Sequence, residues 1–215
     1  MNTELDKRVM ELMCARLCHD LIGPVAAINN GVELVRDFGD EMQGEALELI
    51  GESASRASKL LQFYRVAFGS ARAADGSGIG IDEARRRALE ALSSERVTIY
   101  WPEGDSPQAA GLLRLTVKLA LNLLLLAVET LPGAGTVEVA ITPGDPGEVR
   151  MTARKEGIVM PDDIAAVLEG EVSEEDLTPQ TVQAFFTRSL AESVSRGLDR
   201  KADPDAITFF IELNA

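Results

Sequence analysis

The chain has one histidine and two cysteines among its 215 residues. One imidazole and two thiols cannot fill a typical zinc site without carboxylates. Cys14 and Cys18 stand four apart in one segment, so there is no disulfide framework. On a helix that spacing would strain a disulfide; the pair reads as free, packed thiols, with a redox pair beside the histidine as the other reading. No Gly-x-Ser-x-Gly elbow is present, so a serine hydrolase lacks its usual frame. Basic residues are scarce: 21 Lys+Arg against 35 Asp+Glu give a formal net charge of −14. A surface this acidic argues against nucleic acid and anionic membranes as partners, because both reward basic patches. Long apolar runs are missing too. The stretch from Leu119 to Val128 is interrupted by Asn122 and is too short to span a bilayer. The opening MNTELDKRVMELM is charged throughout and lacks the apolar centre of a signal peptide. A soluble cytoplasmic protein is expected.

What is present is organised in two regions. From Asn2 to Phe38, apolar residues recur at steps of three and four, among them Leu5, Val9, Leu12, Met13, Leu17, Leu21, Ile28, Val32 and Val35. Phe38-Gly39-Asp40 is a stop signal. Met42 to Phe68 carries a second helical stripe through Ala46, Leu49, Ile50, Ser53, Ala57, Leu60, Leu61 and Tyr64. Two such helices joined by a tight turn form an αα-hairpin. A lone hairpin cannot bury both stripes, so it is expected to dimerise as a four-helix bundle. The run from Gly69 to Gly78 is small, polar and glycine-rich, a boundary linker.

The second region alternates in type. Helices are expected over 82–92, with Asp82 near the N-cap, and over 108–131, 161–168 and 178–196. Strands are expected over 97–101, 136–142, 148–154 and 206–213, with a Pro-Gly turn at 143–147. The fold class is therefore α+β: a helical hairpin over 1–69, a linker over 70–80, and a two-layer sandwich over 81–215. Trp101 reads as core, Arg85-Arg86-Arg87 as a solvated helix face or a partner contact, and the acidic stretch from Glu169 to Asp176 as a solvated loop.

If the protein does histidine chemistry, it does it at His19. At about 100° per residue, Leu17 and Leu21 lie about 200° to either side of His19, so the core stripe faces away from the imidazole. On the histidine's own face lie Leu12, Ala15, Arg16, Gly23, Ala26 and Asn30. Small neighbours leave room for another protein to come close. Gly23-Pro24 inside a long helix costs roughly 1 kcal/mol for the glycine and 3 for the proline in propensity. Close approach of a partner is a candidate for what offsets that. Pro24 also frees the carbonyl of Asp20 and should bend the helix.

His19-Asp20-Leu21-Ile22-Gly23-Pro24 resembles the His-Asp/Glu-x-x-x-Pro phosphoacceptor box of bacterial sensor histidine kinases. The segment from Leu121 to Gly135 resembles the kinase asparagine box and the turn after it. The departures matter. A second asparagine, expected four residues after Asn122, is Leu126. The Asp-x-Gly-x-Gly box that reads adenine has no counterpart near Ala153 to Ile158. The glycine-rich lid that would cradle phosphates is replaced by Thr178-Pro179-Gln180-Thr181-Val182-Gln183, running into a helix. Asn122 then reads as a structural residue rather than a Mg²⁺ ligand.

A kinase-like dimer that keeps the histidine and loses the nucleotide site relays phosphate without initiating it. Leu17 to Gly31, Phe63 to Gly69 and Phe209 to Leu213 extend the resemblance over nearly the whole chain, to the alphaproteobacterial histidine phosphotransferases of the ChpT family. That resemblance implies a degenerate kinase-type ATP-binding-like sandwich behind the hairpin. It also implies a phosphorelay. A receiver domain of a hybrid kinase (CckA-like) supplies phosphoryl to His19, and response regulators (CtrA-like, CpdR-like) receive it. Mg²⁺ would come with the receiver, and no cofactor is expected on this chain. Asp20 is expected to accept a hydrogen bond from the ring nitrogen that does not attack. Arg16 is either a neutraliser of phosphoryl oxygens or a solvated arginine. Leu12, Ile22, Gly23 and Ala26 are the expected docking patch, with Leu12 and Ile22 open to serving the bundle core instead. Two rival functions stand beside the relay: an autophosphorylating kinase with a degenerate nucleotide site, and a non-catalytic dimeric adaptor or kinase inhibitor.

Overall fold

The computed structural model describes residues 3–39, 42–69, 79–103, 110–142, 147–193 and 197–213. Two long helices come first, α1 (Thr3–Phe38) and α2 (Gln43–Ala67). They pack along their length as the hairpin. Gly31 fixes how closely. A Cβ there would come within 2.6 Å of Ile50 Cγ1 and 3.0 Å of the Ala46 carbonyl oxygen. Only a residue without a side chain lets the two backbones meet at that point. Helix α1 runs through Pro24 without interruption, and the ring is buried. The linker residues 70–78 lie outside the described residues, as does the Pro-Gly turn at 143–146.

Beyond the linker come α3 (Ile81–Leu92), β1 (Val97–Tyr100), α4 (Ala110–Glu129), β2 (Gly135–Thr142) and β3 (Gly147–Arg154). Then follow α5 (Asp162–Glu169), a short 3₁₀ turn (Glu174–Asp176), α6 (Val182–Glu192), β4 (Asp199–Asp203) and β5 (Ala206–Leu213). The five strands form one sheet in the order β1-β2-β3-β5-β4. β1 runs parallel to β2, and the other pairs are antiparallel. Alternation along β2 and β3 turns Val137, Val139, Ile141, Val149 and Met151 inward, while Glu138, Arg150 and Arg154 stay outside. Helix α4 lies across this inner face. Its run from Leu119 to Ala127 is buried throughout, which is why the helix is apolar on all sides. The architecture is mixed α+β, a long hairpin beside a helix-on-sheet sandwich.

Several sequence expectations shift. Strand β4 was not expected: its residues Asp199-Arg200-Lys201-Ala202-Asp203 lack apolar alternation, because an edge strand needs only one neighbour and keeps its charges in water. The helix expected over 178–196 begins at Val182. Thr178 and Thr181 exchange side-chain and backbone hydrogen bonds in a turn before it, and residues 194–196 lie outside the described residues. Helix α3 starts one residue before the expected 82, with Gly80 at the cap; Asp82 stands near it as expected, and with Glu83 it sits in the first turn, where the helix dipole favours acids. Trp101 is buried as expected of a core residue. The arginine run pairs with acids on its own helix and beyond, Arg86 and Arg87 with Glu83 and Arg85 with Glu103. Cys14 and Cys18 are free but exposed rather than packed. Among the described residues, no helix is long and apolar enough to cross a membrane.

Candidate active site

Helix α1 carries His19 on its open face, and the side chain is 88% exposed. Its Nδ1 stands 3.3 Å from Asp20 Oδ1. Asp20 is held from the other side. The Tyr64 hydroxyl, on α2, donates to Asp20 Oδ2 at 2.6 Å. Tyr64 is itself fixed by packing: it meets Phe63 edge-on and stacks on Phe68, and Phe68 meets Phe186 of α6 edge-on. Burial pushes the Tyr64 phenol pKa up, and the bond to Asp20 pushes it further. The hydroxyl therefore stays protonated and remains a donor at neutral pH.

Arg16, one turn before His19, is occupied elsewhere. Its guanidinium pairs with Glu129 at the end of α4. The other terminal nitrogen donates to the Pro179 carbonyl at 3.3 Å. The Arg16 side chain is only 14% exposed, so it is not a solvated arginine. Its two terminal nitrogens are committed to the second region rather than free beside His19. Burial pushes the Glu129 carboxyl up to about 7, the Arg16 guanidinium pulls it down, and the charge of Asp20 pushes it up again. Further along α1, Arg8 reaches the Leu177 carbonyl at 3.4 Å. The segment from Leu177 to Pro179 thus braces α1. The acidic stretch ahead of it is exposed at Glu171, Glu175 and Asp176 but also touches α1 through the 3₁₀ turn.

The expected docking residues divide. Ile22 is 65% exposed, and Gly23 and Ala26 are exposed beside it. A Cβ on Gly23 would meet nothing within 4 Å. Together with His19 these three form one open face. Leu12 does not join them: it is buried in the main core cluster. The correction has a physical cause. The first half of α1 packs against the second region, through the Arg8 bond to the Leu177 carbonyl and the Arg16 bond to the Pro179 carbonyl, and Leu12 on that half joins the core. Between this half of α1 and α6 lies an apolar cleft of about 570 Å³ walled by Val9, Met13, Leu17, Phe68 and Phe186.

Two participants were missed by sequence reasoning, Tyr64 and Glu129. Each left a signal. Glu129 is the one acid in the apolar run from Leu119 to Leu131, and a buried charge needs a partner. Tyr64 places a polar tip on a stripe that is otherwise apolar around it.

The position of the kinase asparagine is used for structure. Asn122 is fully buried. Its amide donates to the carbonyls of Ala67 and Lys118, each at 2.8 Å, and its Oδ1 accepts from Gln183 at 3.1 Å. The side chain ties α4 to α2 and α6. No group of histidine, cysteine or acidic residues among those described is arranged to hold a metal ion.

An exposed histidine on a helical hairpin, braced by a helix-on-sheet region, fits a histidine phosphotransferase. Residues 81–206 match the family model described as the histidine phosphotransferase C-terminal domain. The protein phosphotransferase ChpT of Brucella abortus (strain 2308) is 36% identical over 206 residues, covering 94% of this chain and 93% of that one. A solved bacterial phosphotransferase superposes with a TM-score of 0.80 at 31% identity, covering 98% of this chain and 97% of the other. The chain belongs to this histidine phosphotransferase family.

Proposed function

We propose that His19 is the phosphoryl carrier of a two-component relay, taking the group from a receiver-domain aspartate and passing it to the aspartate of a response regulator. The observation that supports this reading most is the exposure of His19 on a helix face cleared of bulk by Gly23 and Ala26. Neutral imidazole attacks the phosphorus in line, and the receiver's aspartate leaves as a carboxylate. Phosphoryl transfer asks mainly for positioning and charge neutralisation. Asp20 holds the ring, and its negative charge favours the positive charge that the ring gains on attack. Magnesium comes with the receiver's acidic pocket, and this chain brings no cofactor of its own. Ile22, Gly23 and Ala26 are the docking surface. The donor is the receiver of a hybrid, CckA-like kinase, and the acceptors are CtrA-like and CpdR-like regulators. The working unit is a homodimer through the hairpin.

The test mixes wild type and His19→Ala with a radiolabelled phospho-receiver, alongside tubes holding labelled ATP alone. Acid-labile, base-stable label from the receiver, absent in His19→Ala and absent with ATP alone, is the expected result. Label from ATP alone would make the protein a kinase. Binding of several receivers without label would make it an adaptor.

A further inference from the structure

We infer that Tyr64 is a positioning residue for the transfer. It holds Asp20 so that the carboxylate selects the Nδ1–H tautomer of His19 and leaves Nε2 as the attacking atom. The inference rests on the phosphorelay reading and goes beyond it by assigning a residue on the opposite helix of the hairpin. Asp20 alone is a poor anchor. It neighbours His19 in sequence, so the two side chains diverge by about 100° around the helix, and the contact is long at 3.3 Å. A carboxylate free to rotate would hold the ring weakly. Tyr64 removes that freedom. Its bond to Oδ2 is short, 2.6 Å, and its own ring is locked between Phe63 and Phe68. With Oδ2 taken by a donor that cannot reverse its role, Oδ1 is turned to Nδ1, and an anionic acceptor there requires that nitrogen to carry the proton.

The chemistry then balances without any proton transfer. The Nε2 lone pair forms the N–P bond while the P–O bond to the receiver's aspartate breaks, and that bond's electron pair leaves with the carboxylate. The imidazole keeps its Nδ1 proton, becomes cationic, and faces Asp20 as it does so. Were Nε2 protonated instead, the attacking nitrogen would have no lone pair and the ring would have to change tautomer first.

His19 is the only histidine in the chain, so one ring gives the whole imidazole signal in a long-range ¹H–¹⁵N spectrum. Recorded on the alkaline side of the imidazole titration, wild type is expected to show a protonated Nδ1 and a bare Nε2. Tyr64→Phe, which keeps the packed ring, is expected to drift toward the Nε2–H form that free imidazole side chains prefer. It should accept phosphoryl about five- to ten-fold more slowly, with thermal unfolding checking that the fold is kept. In an Asp20→Ala background the same substitution should cost nothing further, because Tyr64 acts through Asp20. A wild-type ring already in the Nε2–H form would overturn the assignment, as would a Tyr64→Phe variant with unchanged tautomer and rate, or a loss that persists without Asp20. Failure of wild type to take label from any receiver would sink the relay reading itself, while the spectrum would still decide which nitrogen Tyr64 and Asp20 leave bare.

Discussion

At the scale of single residues, the pairing of Arg16 with Glu129 places a titrating group beside the histidine site. The Glu129 carboxyl is raised to about 7 from an ordinary value of 4.5 because it is buried at the junction of α4 and α1. Between those two values the folded protein binds more protons than the unfolded chain, so stability falls as pH rises. The fall begins near 4.5 and is complete somewhat above 7. Glu129→Gln keeps an acceptor for Arg16 and removes the titration. Unfolding free energies from denaturant titrations should therefore fall more between pH 5 and pH 8 for wild type than for the variant, by on the order of 2 kcal/mol. Equal drops would mean that Arg16 holds Glu129 ionised across the range. Arg16→Ala should push the Glu129 carboxyl higher still, since its cation is gone, and carry the fall in stability to higher pH.

At the scale of elements, two glycines of α1 should behave differently. Gly31 faces α2 at a distance that no side chain tolerates. Gly31→Ala should force the hairpin apart and cost about 1–3 kcal/mol, measured by chemical denaturation, despite the better helix propensity of alanine. Gly23 faces open space. In Gly23→Ala the better helix propensity of alanine is opposed by the clash of its Cβ with the Pro24 ring in helical backbone, so stability should change by less than about 1 kcal/mol, yet transfer should slow, because the methyl stands on the proposed docking surface. A variant that is equally fast would move the docking face away from Gly23. Sequence periodicity made α1, α2 and α4 legible because their stripes are long and regular. Strand β4 was invisible for the converse reason: five polar residues at a sheet edge carry no apolar alternation to read. The early turns before α6 were misread as helix because Thr178 and Thr181 bond each other instead of extending it.

At the scale of the whole molecule, legibility ended where the two regions meet. The histidine and its aspartate stood out as a motif. Arg16 and Leu12 shared their face, yet the second region covers that part of α1, and no stripe on one helix reveals which side another domain takes. What stays open on the hairpin is a candidate seam for a second copy. Val25 and Val32 on α1 are 48% and 43% exposed, and Leu47 and Leu61 on α2 are 56% and 54% exposed. Val25 and Val32 are seven residues apart and Leu47 and Leu61 fourteen, two and four helical turns, the spacing of a coiled-coil seam. A shallow groove between the helices, walled by Ile28, Ala54, Ala57 and Leu61, continues it. This seam lies about 120–140° around α1 from His19, so pairing along it leaves both histidines of a dimer in the open. Light scattering on the eluting peak should give about twice the chain mass of 23.1 kDa. Val32→Glu with Leu61→Glu should reduce it to the single mass, since charges buried in a seam go unpaired. A wild-type monomer would instead leave these four residues as a second apolar face without a partner of its own kind, and the four-helix bundle would have to be abandoned.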